Sequence, residues 1–151
     1  MLRDTIGPAL STVEGQPVDR RNWHITLVYI GDFPEEKIPA LQSAVAVIDP
    51  GQIRVRFDKV SFWQRPKIAA MLTRNVPPDL EHLVTSIQQA LIPFGYAPDT
   101  RVYRPHITVA RKVRAFQEVP LARPIELTWS EFELVESVSY RGEIQYHPLK
   151  Q

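Results

Sequence analysis

The sequence predicts an α+β fold in which two antiparallel sheets face each other across a cleft. Three stretches have the apolar spacing of helices, whereas several extended segments follow one another with no helix between them. Consecutive strands of this kind pair antiparallel, because a parallel pair needs a long crossover connection. The predicted order is helix, strand, helix, strands, helix, strand, strands, which divides the chain into two roughly equivalent halves.

The three helices are predicted from apolar periodicity and from the residues at their ends. Pro34 precedes the second helix, where a first turn tolerates proline. Pro50 and Gly51 follow that helix, and Pro93 and Gly95 end the third, since neither residue type continues a helix well. The predicted helices are Leu2–Val13, Glu35–Val47 and Pro78–Ile92.

The strands are predicted where apolar and polar residues alternate or where a short apolar run lies between turn residues. The alternation matters for function because every second side chain of a strand points to the same face. The predicted strands are Trp23–Ile30, Ile53–Phe57, Ile68–Leu72, Pro105–Lys112, Ile125–Val135 and Val138–Tyr146.

Composition excludes several classes of protein. The 151 residues are 44% hydrophobic and 23% charged, which suits one globular domain over residues 1–151 and argues against disorder. The formal charge of +1 implies no general attraction to nucleic acid or to an anionic membrane. The chain has no cysteine, apolar span or signal peptide, so we expect a cytoplasmic protein without disulfide or thiolate chemistry. We also expect a monomer.

Two strands carry nearly the same short motif. His24-Ile25-Thr26 and His106-Ile107-Thr108 each place a histidine and a threonine two residues apart, with an apolar residue between them. The period of a strand turns both polar side chains to one face and the isoleucine to the other. The two strands can therefore bring two imidazoles and two hydroxyls to one cleft.

Two histidines suit displacement at phosphorus. Because histidine titrates near neutral pH, one neutral and one protonated imidazole can serve as base and acid on opposite sides of the phosphorus. Hydroxyls on the same faces can hold the oxygens that take no part in the bond change. We expect no metal, because two histidines without Asp, Glu or Cys at ligand spacing fall short of the three protein ligands of a catalytic zinc site.

Other residues near the motifs are weaker candidates. Arg111 lies three positions after Thr108, so only a bulge or the end of the strand would turn it to the threonine's face. Arg104 precedes the second motif and is a possible substrate contact. Trp63 and Tyr103 are candidates for stacking on a base, although aromatic residues are more often simply buried.

The chain resembles the two-histidine (2H) phosphoesterase superfamily, in its bacterial and archaeal RNA 2′,3′-cyclic phosphodiesterase branch, historically named 2′-5′ RNA ligase. The paired H-x-T-x motifs at His24–Leu27 and His106–Val109 carry the resemblance. Further similarities extend over most of the chain. They are Asn22-Trp23, Tyr29-Ile30-Gly31, Phe62-Trp63, Gly95, Pro105, Arg111 and Tyr146-His147-Pro148-Leu149.

The resemblance implies a bilobal domain with pseudo-twofold symmetry, outer helices and motif strands lining the cleft. It implies metal-independent hydrolysis of a 2′,3′-cyclic phosphate at RNA or nucleotide ends to a 2′-phosphate, without a cofactor. His24 would be the proton donor and His106 the proton acceptor. Thr26, Thr108 and Arg111 would bind the phosphate. Joining of 2′-5′ ends would be the reverse reaction.

Two alternatives to this function remain open at the level of sequence. One is a phosphodiesterase for a small cyclic phosphate such as ADP-ribose cyclic phosphate, and the other is a non-catalytic RNA- or nucleotide-binding module.

The chain also lacks the short apolar strand with which relatives usually begin and the apolar residues with which they end. We expect this to leave one sheet short of a strand, or to leave a gap that a partner subunit covers.

Overall fold

A computed structural model describes residues 13–141 and 143–149 of the chain. In this part, seven strands form two antiparallel sheets, and two α-helices accompany them. The strands are β1 (Gln16–Pro17), β2 (Ile53–Trp63), β3 (Ile68–Leu72), β4 (His106–Arg111), β5 (Val119–Trp129), β6 (Val135–Tyr140) and β7 (Glu143–Pro148). The α-helices are α1 (Ile38–Ala46) and α2 (Pro78–Leu91), with 3-10 turns at Arg20–Asn22, Glu35–Lys37 and Ile92–Phe94.

The larger sheet has five strands in the order β1-β4-β3-β2-β5, and β6 and β7 form a separate two-stranded sheet. Every pair in both sheets is antiparallel. The prediction of an α+β fold with two antiparallel sheets is therefore confirmed. The strand that carries the second histidine motif, β4, lies inside the larger sheet, between β3 and the short β1.

One hydrophobic core joins the helices to one face of the larger sheet. Alternate residues of β2, together with residues of β3, β4 and β5, pack against the apolar sides of α1 and α2. The core leaves the opposite face of the sheet for other contacts. The fully buried large side chains of this core are Phe57, Leu41, Met71, Leu80, Leu91, Ile107, Ile125, Val55, Val60 and Val109.

Several predicted elements are confirmed with small shifts at their ends. The predicted β3 has the observed bounds, Ile68–Leu72, and β4 is one residue shorter at each end than predicted. The helices predicted at Glu35 and Pro78 form, and both contain a 3-10 turn at one end. Gly95 ends the second with a φ of 89°, a left-handed conformation that glycine adopts without strain.

Four predicted strands are wrong in extent. The strand predicted as Ile53–Phe57 is β2, which begins at Ile53 but continues to Trp63. Trp23–Ile30 has no strand pairing with any described residue. The segment predicted as Ile125–Val135 is β5, which begins six residues earlier and ends at Trp129. The strand predicted as Val138–Tyr146 is instead a hairpin of β6 and β7, because its alternating pattern continues through the turn at Arg141.

The helix predicted at Leu2–Val13 falls outside the described residues, except for Val13. Within the described ranges, no helix combines the length and apolar character that crossing a membrane requires.

Candidate active site

The second histidine motif is held by strand pairing. His106 lies opposite Leu72 of β3, and Thr108 lies opposite Ala70. Ile107, between them, is fully buried in the core, whereas the histidine and the threonine are half-buried. The alternation of β4 therefore turns His106 and Thr108 to the face opposite the core, as the sequence pattern predicts.

The first histidine motif shows the same alternation of core-facing and polar side chains, but it pairs with no described strand. Ile25 and Leu27 pack against the main core, whereas Thr26 is exposed and His24 is half-buried. Trp23 helps to anchor the segment, since its indole N–H donates to the carbonyl of Val18 at 3.3 Å. Side-chain packing thus replaces strand pairing in the part of this segment that the structure describes.

Both motif histidines are oriented by the same kind of hydrogen bond. Nδ1 of His24 lies 2.9 Å from the carbonyl oxygen of Asn22, and Nδ1 of His106 lies 3.2 Å from that of Arg104. In each case the carbonyl belongs to the residue two positions earlier. A carbonyl only accepts, so each Nδ1 carries the hydrogen and each Nε2 is left for chemistry. Nε2 can then accept a proton in the neutral ring or donate one in the charged ring.

The two imidazoles are close enough to influence each other. Burial lowers the pKa of His106, and the positive charges of His24 and Arg104 lower it further, against the opposing effect of the Arg104 carbonyl. A lowered pKa favours the neutral imidazole, which is the form that accepts a proton. The site therefore favours His106 as the neutral member of the pair.

An aromatic ring contacts each motif histidine. The rings of Trp63 and His106 are 4.4 Å apart between centroids, and those of Tyr146 and His24 are 4.5 Å apart. Trp63 was among the residues predicted from the sequence, although as a contact for substrate. Tyr146 was not predicted as a site residue. It lies far along the chain in β7, and no local pattern links it to His24.

A bulge in β4 determines where Arg111 lies. Thr108 pairs with Ala70 but Ala110 pairs with Ala69, so β4 has one extra residue at this point. Ala110 is buried like Val109, and Arg111 is half-buried like Thr108. The bulge shifts the alternation of β4 by one residue. Arg111 therefore lies on the same face as Thr108, as its predicted role at the phosphate requires.

Two further cations near the second motif differ in their partners. The guanidinium of Arg101 forms a short ion pair with Asp99, with a nitrogen to oxygen distance of 2.8 Å. Hydrogen bonds from Arg101 hold the pKa of that carboxyl at about 2. The guanidinium of Arg104 instead lies over the ring of Trp63, 5.6 Å from its centroid. Arg104 is therefore the better placed of the two for an anionic substrate.

Tyr103 connects the two motifs. Its hydroxyl donates to the carbonyl oxygen of Thr26 at 2.9 Å. Burial raises the pKa of Tyr103, which keeps the hydroxyl protonated and able to donate. This contact joins the loop before the second motif to the backbone of the first.

Among the described residues, no group of three or more His, Cys, Asp or Glu side chains could hold a metal ion.

Comparisons with known proteins find similar phosphoesterases. The sequence model of the LigT like Phosphoesterase family matches residues 1–70. The chain is 29% identical over 140 residues to the RNA 2′,3′-cyclic phosphodiesterase of Escherichia coli (strain K12), a match that covers 90% of this chain and 78% of that protein. It is 25% identical over 124 residues to the Archaeoglobus fulgidus protein of the same name, covering 78% of this chain and 70% of the relative.

The fold is also similar to that of solved relatives. The crystal structure of E. coli LigT complexed with 3′-AMP superposes with a TM-score of 0.81 and 27% sequence identity, covering 99% of this chain and 88% of that one. A crystal structure described as a phosphoesterase gives a TM-score of 0.82 at the same identity and coverage. The sequence match, the fold and the two histidine motifs lead to one conclusion: this chain is similar in sequence and in fold to the LigT-like phosphoesterases, whose family model matches its first 70 residues.

Proposed function

We propose that this protein hydrolyses a 2′,3′-cyclic phosphate at the end of an RNA or nucleotide and leaves a 2′-phosphate. One observation carries the proposal. His24 and His106 are both anchored through Nδ1 to a backbone carbonyl, and they are close enough for one charge to affect the other. Such a pair can act as acid and base on a single phosphorus. The names of the relatives support the same substrate class.

In the proposed reaction, water attacks phosphorus in line with the bond to the 3′-oxygen. Nε2 of His106 accepts the proton of this water as the new P–O bond forms. Nε2–H of His24 donates a proton to the 3′-oxygen as its bond to phosphorus breaks, so the 2′-phosphate and a 3′-hydroxyl remain. The lowered pKa of His106 supports this division of roles, because it favours the neutral form of that ring, which is the form that accepts a proton.

The negative charge of the reacting phosphate needs donors on the same side as the histidines. We assign this role to the hydroxyls of Thr26 and Thr108 and to the guanidinium of Arg111. Each threonine follows its histidine by two residues, and the bulge in β4 supports the inclusion of Arg111. Donors positioned before the reaction stabilise the transition state without further rearrangement.

We extend the proposal to the substrate chain, the reverse reaction, the oligomeric state and the cellular location. Arg104 is a candidate for the adjoining phosphate of an RNA chain, since its cation lies beside the second motif. With a 5′-hydroxyl in place of water, the same groups would join 2′-5′ ends in the reverse direction. We propose that the protein works as a monomer in the cytoplasm, and that it uses neither a cofactor nor a metal.

The test is to treat an oligoribonucleotide ending in a 2′,3′-cyclic phosphate with the protein in the presence of EDTA, and to identify the product isomer. The proposal predicts a 2′-phosphate, with loss of turnover in His24→Ala and in His106→Ala. His82→Ala is the matched control, because His82 is exposed on α2 away from the motifs. A 3′-phosphate product, or activity that disappears with EDTA and returns with a metal, would contradict it.

The same assay separates the two alternative functions. Turnover of ADP-ribose cyclic phosphate without turnover of the RNA end would favour the enzyme for a small cyclic phosphate. Tight binding of the oligonucleotide without any turnover would favour the non-catalytic binding module. The presence of both His-x-Thr pairs argues against the binding module, since binding alone requires no acid and base.

A further inference from the structure

Trp63 reaches across one strand of the sheet to the second histidine. It is the last residue of β2, where it pairs with Ile68 of β3. Its side chain packs on a small buried cluster formed by Ile68, Ala70 and Leu72, all from β3. Because β3 separates β2 from β4, the indole crosses β3 to meet His106 at a centroid distance of 4.4 Å.

Arg104 contacts both members of this aromatic pair. Its carbonyl oxygen accepts from Nδ1 of His106 at 3.2 Å, and its guanidinium lies 5.6 Å from the centroid of the Trp63 ring. An arginine at this distance over an indole is in the range of a favourable cation-π contact. The three residues therefore form a closed ring of contacts, made of one hydrogen bond, one ring contact and one cation-π contact.

We propose that Trp63 is a positioning residue, which holds the imidazole of His106 with its Nε2 directed at the reacting phosphate. The Nδ1 hydrogen bond restrains one edge of the imidazole but leaves rotation about that bond. Contact with the indole restrains the plane of the ring as well, so both side-chain torsions of His106 are restrained. This inference rests on the proposed function, in which His106 is the base.

The cover provided by Trp63 also has an electrostatic consequence. Burial is the largest cause that lowers the pKa of His106, and the described charged groups that act on it are His24 and Arg104. Both charges act in the same direction as burial, whereas the hydrogen bond to the Arg104 carbonyl opposes it. Removal of the indole admits water to the imidazole, and its pKa then rises toward the ordinary value.

The experiment compares two substitutions with one control. Trp63→Phe keeps an aromatic ring, whereas Trp63→Met keeps apolar cover over β3 but has no ring. Trp129→Met makes the same change at a half-buried tryptophan that contacts Phe57 rather than a motif histidine. Each folded variant is measured for kcat, for KM and for the titration of His106 by NMR without substrate.

We expect Trp63→Met to lower kcat by about 10- to 100-fold with KM within about 2-fold, as for other small displacements of a catalytic group. The pKa of His106 should rise in the same variant. Trp63→Phe should recover most of both properties, and Trp129→Met should leave both as in the unmodified protein. If Trp63→Met does not fold, Trp63→Phe provides the test. Because its ring is smaller than an indole, we expect a smaller decrease in kcat and a smaller rise in the pKa of His106.

Two results would overturn the inference. One is a Trp63→Met protein with unchanged kcat and unchanged titration of His106, and the other is an equal effect of Trp129→Met. The titration requires no turnover, so it remains decisive even if the protein hydrolyses no cyclic phosphate. An inactive unmodified protein would thus refute the proposed function, whereas an unmoved pKa in Trp63→Met would refute the positioning role.

Discussion

The two histidine motifs contain the same residues at the same spacing, but different contacts hold them in place. His106 and Thr108 lie in β4, which pairs with β3 on one side and with β1 on the other. His24 and Thr26 lie in a segment that pairs with no described strand and is anchored by side chains, among them Tyr103 and Tyr146. Two motifs with the same sequence pattern can thus be held in place differently, one by strand pairing and the other by side-chain contacts.

The difference in support has an electrostatic consequence. The second histidine is covered by Trp63 and its pKa is lowered chiefly by burial. A sequence repeat supplies two similar imidazoles, whereas the fold around His106 favours its neutral form, which accepts a proton.

Loss of either imidazole is expected to have the largest effect. Replacement of His24 or His106 by alanine should reduce kcat/KM by about 10²- to 10⁴-fold, because each removes a proton-transfer group. The free energy of unfolding should change by no more than about 1 kcal/mol, since both side chains are only half-buried. Steady-state kinetics and urea denaturation measure the two quantities. A large loss of stability with little loss of activity would mark these histidines as structural.

The isoleucines inside the two motifs should differ in their contribution to stability. Ile107 is fully buried in β4, so Ile107→Ala should lower the free energy of unfolding by about 2–5 kcal/mol. Ile25 is only half-buried and lies outside the described strands, so Ile25→Ala should cost less than half as much. Equal losses in urea denaturation would contradict the view that only the second motif is supported by strand pairing and by full burial of its isoleucine.

The pH dependence should reflect the environment of the second motif. The reaction needs neutral His106, so activity falls as the pH drops through the pKa of this residue. Since burial lowers that pKa, the fall in kcat/KM should occur below the ordinary pKa of histidine. His24→Gln removes a nearby charge, and NMR should then show a higher pKa for His106. A fall in activity above the ordinary histidine pKa would contradict this prediction.

The hydrogen bond from Tyr103 to the first motif should make a smaller contribution to stability and activity. Tyr103→Phe removes only the hydroxyl that donates to the Thr26 carbonyl, and it should cost about 0.5–1.5 kcal/mol, the usual net value of one hydrogen bond. We expect this loss in the free energy of unfolding, with a few-fold decrease in kcat. Tyr96→Phe is a matched control at a partly buried tyrosine of the core. An equal effect of both substitutions would show that the Tyr103 contact has no special role.

Local sequence patterns predicted much of the fold and of the motif geometry. Ile68–Leu72 is a short apolar run between turn residues, and it forms β3 with the predicted bounds. The alternation around Ile107 predicted which face of β4 carries His106. These features depend on periodicity within a few residues, which the sequence displays directly.

Features that depend on distant partners could not be predicted in this way. The segment Trp23–Ile30 has the alternation of a strand but pairs with no strand in the described part of the chain. The bulge that bears on Arg111 arises from the register between β3 and β4. The contact between Tyr146 and His24 joins residues from opposite ends of the chain. Each of these requires the tertiary arrangement.

The division of roles between the two histidines is tested most directly with a substrate in which sulfur replaces the 3′-oxygen of the cyclic phosphate. A thiolate leaves without a proton, so it needs no acid but still needs a base to activate water. The account predicts that this substrate restores turnover to His24→Ala, with P–S cleavage to a 2′-phosphate and a 3′-thiol, and leaves His106→Ala inactive. Rescue of His106→Ala with no rescue of His24→Ala would contradict the assignment.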